Sequence, residues 1–203
     1  MIYPKSLEEL ILYFKKLPGV GEKSAERLAL SVLTFSEEEN DSFAKAITNV
    51  KKKLQKCTIC KALTESSECD VCTNKFRKQN IICVVEDYKS VFLFEKIGNY
   101  EGTYHVLEGL ISPMDGINPD DINISSLITR CEKEKEVEVI MALTPTLEGE
   151  ATTMFITQLL KNKDIKVSRL SYGIPMGAEI DYLDALTLER ALNDRQTLLE
   201  TVE

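Results

Sequence analysis

Ile81-Ile82-Cys83-Val84-Val85-Glu86 runs five apolar residues straight into a carboxylate. An unbroken apolar run of this length fits a strand buried on both faces, as in a parallel sheet. Val137–Ala142 and Lys166–Leu170 read as further strands. Helical patterns lie between and around them, near 88–97, 124–134 and 149–162. Strand alternating with helix predicts a mostly parallel sheet covered by helices. The loop from Ile111 to Asp121, with Pro113, Gly116 and Pro119, is expected to wrap that sheet, and a last helix is expected near 183–194.

Upstream the texture is helical. Ser6 with Glu9 predicts a capping box opening a first helix, whose apolar face is Leu7, Leu10, Ile11 and Phe14. Leu17-Pro18-Gly19-Val20-Gly21 breaks it, and a second helix follows from about Glu22 to Leu33 on the stripe Ala25, Leu28, Ala29 and Val32. Two glycines permit a tight turn and close approach of another surface. The next helix then offers free N–H groups to an anion. Lys23 and Arg27, four apart, share a face away from the apolar stripe, and both can reach a phosphate backbone. The plainer alternative is an αα-hairpin whose glycines only permit the turn. Ser36 with Glu39 repeats the capping box before a third helix carrying Phe43, Ile47, Val50 and Leu54. Lys51, Lys52 and Lys53 at its end complement the helix dipole, which is preferred here to a dedicated DNA patch.

Between the two regions lie Cys57-Thr58-Ile59-Cys60 and Cys69-Asp70-Val71-Cys72, eight residues apart. Paired Cys-x-x-Cys knuckles supply four thiolates to a tetrahedral zinc ion and leave no open position, which makes the metal structural. A redox pair and free thiols are the rivals. Cys83 and Cys131 stand alone and read as core residues. His105, the one histidine, reads as a structural hydrogen-bonding residue on a strand before a glycine-rich loop.

The chain carries a net charge of -8 over 203 residues, which by itself argues against nucleic acid. The charge is uneven: residues 1–80 net +3, and residues 81–203 net -11. A polyanion is therefore expected to meet the N-terminal part. No apolar run approaches a membrane span, and Met1 to Lys5 lacks the core of a signal peptide, so a cytoplasmic location is expected.

After the strand at 137–142 come Thr144-Pro145-Thr146-Leu147-Glu148-Gly149-Glu150. With Val84-Val85-Glu86, this resembles the Toprim fold of topoisomerases and primases. In catalytic members a glutamate ends the first strand, and an Asp-x-Asp pair precedes Glu-Gly-Glu; together they bind magnesium. Glu86, Glu148 and Glu150 match, but Thr144 and Thr146 stand at the aspartate positions. Neutral hydroxyls are much weaker magnesium ligands than carboxylates. No Ser/His/Asp set and no P-loop takes their place, so a Toprim-like scaffold without catalysis is expected.

The order of helix-hairpin-helix, four-cysteine zinc site and Toprim-like sheet resembles the RecR family over nearly the whole chain. The stretches Leu17–Ala29, Tyr104–Gly116 and Gly173–Tyr182 carry the likeness. The resemblance implies a multi-domain α+β chain. Its parts are a DNA-binding helical region at 1–55, a zinc finger at 56–73, an α/β Toprim domain at 80–172, and a Walker B-like oligomerisation segment at 173–203. No Walker A partner occurs, so nucleotide binding is not implied. The resemblance further implies a mediator of bacterial recombinational repair, nucleoid-associated, that acts with RecO and RecF to place RecA on single-stranded DNA. It implies dimers or tetrameric rings that clamp single-stranded or duplex DNA. Gly19, Gly21, Lys23 and Arg27 then face DNA, Cys57, Cys60, Cys69 and Cys72 hold zinc, and Glu86, Glu148 and Glu150 meet RecO. The alternative reading is a magnesium-dependent Toprim nuclease or primase-like enzyme.

Overall fold

The computed structural model describes residues 3–161, 163, 165–171 and 173–195. It divides into two compact units, Met1–Leu54 and Gln55–Glu203.

The first unit holds α1 (Lys5–Lys15), α2 (Glu22–Val32) and α3 (Glu37–Lys53). The capping box expected at Ser6 and Glu9 does not form. The helix starts two residues earlier, at Lys5 behind Pro4, whose carbonyl accepts from the N–H groups of Leu7 and Glu8, so Ser6 falls inside the first turn. The second box does form: Ser36 Oγ accepts from Glu39 N at 3.2 Å, and Ser36 N donates to Glu39 Oε2 at 2.8 Å. Ala25 and Ala29 are fully buried against Ile11, with Leu7, Leu10, Phe14 and Val20 around them. Small residues on α2 let the two helices approach closely. No residue of α3 is buried, and Ile47 and Val50 are each 60% exposed.

The second unit opens with a short antiparallel hairpin of β1 (Gln55–Lys56) and β2 (Leu63–Thr64), then α4 (Asp70–Thr73). The main sheet comprises β3 (Ile81–Val85), β4 (Thr103–Val106), β5 (Glu138–Ala142) and β6 (Lys166–Arg169). Its order is β4-β3-β5-β6, and every pairing is parallel. The fold is thus the mixed α/β architecture expected, with α5 (Tyr88–Ile97), α6 (Ile124–Cys131), α7 (Leu147–Leu160) and α8 (Ala185–Asn193). α7 begins at Leu147, two residues earlier than the pattern suggested, because Thr146 caps it. Residue 162 and residues 196–203, within the expected helix and C-terminal segment, lie outside the described residues.

Both faces of β3 are covered, which is why its sequence shows no polar alternation. Ile82 and Val84 point into one core with Val139, Met141, Leu127, Ile156 and Leu160, beneath α6 and α7. Cys83 and Val85 point into the other with Tyr104, Val106 and Val91, beneath α5 and the cysteine cluster. The cysteine segment therefore shares its core with the sheet. Ile111 and Ile117 of the 111–121 loop pack on the first core, and Ile111 N donates to Thr152 Oγ1 at 2.8 Å.

The outer edge of β4 is closed to further strands. Val106 N donates to Cys60 O at 2.8 Å, and Arg130 donates to Tyr104 O and Thr103 Oγ1, each at 2.6 Å. Arg77 clamps the preceding turn through Tyr100 O and Glu95, each at 2.6 Å, while Tyr104 donates to the same Glu95 at 2.7 Å. Nothing in the spacing of Arg77 or Arg130 marked these roles.

Candidate functional site

In the hairpin, Gly19 adopts φ +79°, a left-handed conformation that side chains resist, so it is needed to make the turn. Gly21 differs from expectation. Its φ of -79° is open to any residue, and a Cβ there would meet nothing in the chain. The turn itself therefore does not require glycine at this position. Gly21 is the N-cap of α2, and no side chain caps that helix, so its first-turn N–H groups are available to an anion. Glu22 opposes an anion there, but Lys15 sits 3.3 Å from its carboxylate. Lys23 and Arg27 are both exposed on α2. Among the described residues neither has an ion-pair partner.

The four sulfurs of Cys57, Cys60, Cys69 and Cys72 lie within 4.8 Å of one another. A tetrahedron of 2.3 Å zinc–sulfur bonds has edges of about 3.8 Å, so the set fits zinc after small adjustments. The backbone is shaped around it. Lys61 takes φ +65° to close the first knuckle, Lys61 N donates to Cys57 O, and Cys69 N donates to Cys57 Sγ at 3.3 Å. Hydrogen bonding among the thiols, chiefly from Cys60, holds Cys69 well below the ordinary thiol range, while Cys72 is pushed up by Cys60 and Cys69. Such a crowd of thiols is relieved by a cation that takes all four as thiolates. The lone cysteines behave otherwise: burial pushes Cys83 up to about 12 and Cys131 up to about 11.

At the carboxyl ends of the strands, Thr144 Oγ1 donates to Glu86 Oε2 at 2.6 Å. Thr146 Oγ1 accepts from Gly149 N at 3.2 Å and so caps α7. Both hydroxyls that replace the aspartates are thus used within the protein. A crevice of about 210 Å³ adjoins Glu86, Asp87 and Glu108. Each of these acids has a protein donor. Asp87 accepts from Lys89 N and Ser90 N as the cap of α5, and Glu108 accepts from Lys56 at 2.7 Å and from Asn123 at 3.1 Å. Glu150 lies 3.4 Å from Arg190 and 3.6 Å from Arg169, tying α7 to α8 and β6. Glu148 is half-buried in the same first turn. Glu86 and Thr144 are thus brought together, whereas Glu150 turns to the arginines.

His105 is fully buried, and its Nε2 lies 2.9 Å from the Asn123 carbonyl. Burial holds its pKa down at about 4, so the ring is neutral at pH 7 and Nε2–H is the donor. Nδ1 has no partner. The ring sits between strand and helix as a structural element, as expected.

Comparison with known proteins places these parts in one frame. A model of the Toprim domain matches residues 80–171, the RecR helix-hairpin-helix matches 7–51, and the RecR C-terminal model matches 173–196. The recombination protein RecR of Staphylococcus aureus strain Mu3 is 47% identical over 195 residues, covering 96% of this chain and 98% of the relative. The protein of the same name from strain MRSA252 matches to the same extent. No helix among the described residues is long and apolar enough to cross a membrane.

Proposed function

Because the chain belongs to the RecR family of recombination proteins, with a role in recombinational repair, we propose that it is a non-catalytic mediator that holds DNA and recruits partner proteins. The observation that carries this reading is the pair of hydroxyls at Thr144 and Thr146, one spent on Glu86 and the other on a helix cap. Phosphoryl transfer of the Toprim kind needs divalent ions held by carboxylates at those two positions. With hydroxyls there, and with Glu86, Asp87 and Glu108 each engaged by a protein donor, the scaffold serves recognition.

DNA is held at the hairpin. Gly19 shapes the turn, Gly21 lets the phosphate backbone come close, and Lys23 and Arg27 neutralise phosphates without reading sequence. Zinc on Cys57, Cys60, Cys69 and Cys72 fixes the segment beside the sheet. Glu86, Glu148 and Glu150 meet RecO, with Glu150 keeping its arginine partners. The chain then acts with RecO and RecF to place RecA on single-stranded DNA, as a dimer or tetrameric ring around the strand. A ring with the hairpins inside reconciles a net charge of -8 with a polyanionic ligand.

The test is salt-dependent DNA binding. The affinity of the wild-type chain is expected to fall steeply with salt, and Lys23→Ala with Arg27→Ala to flatten that slope by about 1.8 on duplex, two phosphate contacts at about 0.9 each. Gly21→Ala is expected to weaken binding markedly while lowering the melting temperature only slightly, since its Cβ meets nothing among the described residues and only the poorer N-cap preference of alanine counts against it. A double variant that binds with the wild-type slope would remove the hairpin from the DNA surface.

A further inference from the structure

Phe76 is 97% exposed, an extreme for an aromatic ring in the middle of a chain. It is not on a loose loop. Phe76 N donates to Asn74 Oδ1 at 2.9 Å, and Arg77 N donates to Asn74 O at 3.1 Å, which makes a tight turn. The next residue, Arg77, is anchored to Glu95 and to the Tyr100 carbonyl, and Lys78 N donates to Glu101 O at 2.9 Å. The ring is thus presented to solvent from a backbone pinned on both sides. Its own fold gains nothing from it.

The surroundings are basic against an acidic background. Residues 74–80 hold three cations and no acid, whereas residues 81–203 net -11; Arg77 is paired with Glu95 and Lys78 with Glu101, which leaves Lys75 as the cation of this turn without an ion pair among the described residues. Lys75 is exposed beside Phe76. Gln79 Nε2 donates to Asn74 O at 3.3 Å, which links this turn to a cleft of about 450 Å³ that Gln79 itself lines. Ser126, Thr129, Arg130 and Lys133 of α6 and its C-terminal extension line the same cleft, with Glu134 the one acid among the described residues there. Thr58 and Ile59 of the first cysteine knuckle line it as well.

An exposed planar ring, cations beside it, and a cleft of hydroxyls and amides match the chemistry of a single-stranded nucleic acid. Its bases have free faces for stacking, and its phosphates follow at short intervals. A duplex hides those faces. We propose that the Phe76 turn and the adjoining cleft form a second DNA contact, selective for single strands. Phe76 stacks on an unpaired base, and Lys75 and Lys133 meet the flanking phosphates. The proposal rests on the reading that this chain binds DNA. It adds a site separate from the hairpin and a reason to prefer single strands.

The test uses the full-length chain with a short labelled oligothymidylate and a duplex of equal length. Phe76→Ala is expected to weaken binding to the single strand about five- to a hundredfold, the effect of losing one stacked base, and to leave duplex binding unchanged. Phe76→Trp restores the affinity. Lys75→Ala with Lys133→Ala lowers the salt slope on the single strand by about 1.4. The ring is solvent-exposed, so an unchanged melting temperature accompanies Phe76→Ala. Single-strand binding by Phe76→Ala equal to wild type, or an equal loss on both DNAs, overturns this site and leaves the hairpin reading standing. A wild-type chain that binds neither DNA overturns both.

Discussion

Cys57→Ser is expected to release the metal and to unfold at least the segment from Gln55 to Thr73. Structural zinc contributes roughly 10–16 kcal/mol in finger peptides, against a total stability of about 5–15 kcal/mol for an ordinary domain. The segment has little else to hold it. β1 and β2 pair over two residues each, and α4 is one turn. The damage does not stop there, because Cys57, Cys60 and Ala62 share a core with Val85, Val91, Tyr104 and Val106. Loss of the knuckle also removes the bond from Val106 N to Cys60 O that closes the edge of β4. Metal analysis is expected to find one zinc per wild-type chain and much less in the variant. Thermal melting is expected to show a large drop, reproduced in the wild type by a strong chelator. A chelated chain that melts unchanged would show that the four thiols hold the fold without an ion.

Gly149→Ala is the second large effect. A Cβ at Gly149 would lie 1.9 Å from the Thr144 carbonyl oxygen and 3.1 Å from its carbon. Both are backbone atoms, so the first turn of α7 must move away from the strand end. Overpacking of this kind costs about 1–3 kcal/mol and occasionally more, and a backbone clash belongs at the upper end. The shift also strains the cap from Gly149 N to Thr146 Oγ1, worth about 1 kcal/mol. Better helix propensity returns only about 1 kcal/mol. A net loss near 3 kcal/mol corresponds to a melting temperature lower by about 6–12 °C. Gly173→Ala is the control: a Cβ there meets nothing among the described residues and the backbone is not left-handed. An unchanged melting temperature for Gly149→Ala would mean that the Thr144–Gly149 contact is not as close as described.

Much of this architecture was legible in the sequence because local chemistry dictates it. Two Cys-x-x-Cys pairs announce a shared ligand shell, since thiols at that spacing close on one ion. The run at 81–85 announced a doubly covered strand, and Ser36 with Glu39 announced its cap. Where a neighbouring residue competes, local signals mislead. Pro4 starts α1 before Ser6 can cap it. The apolar stripe of α3 finds no burial within its own unit. Contacts between distant positions were beyond reach. Glu150 meets Arg190 forty residues on, and Arg130 crosses to Thr103 and Tyr104, and no periodicity encodes either. The difference between Gly19 and Gly21 is likewise invisible to spacing, because only the backbone angle separates a glycine the turn needs from one it does not.

On the proposed reading, Glu86 and the other acids at the strand ends do no phosphodiester chemistry. Incubation of the purified chain with labelled single-stranded and duplex DNA, with and without magnesium, tests it most directly. Intact DNA is expected under both conditions. Magnesium-dependent cleavage or strand synthesis that disappears in Glu86→Ala would contradict it.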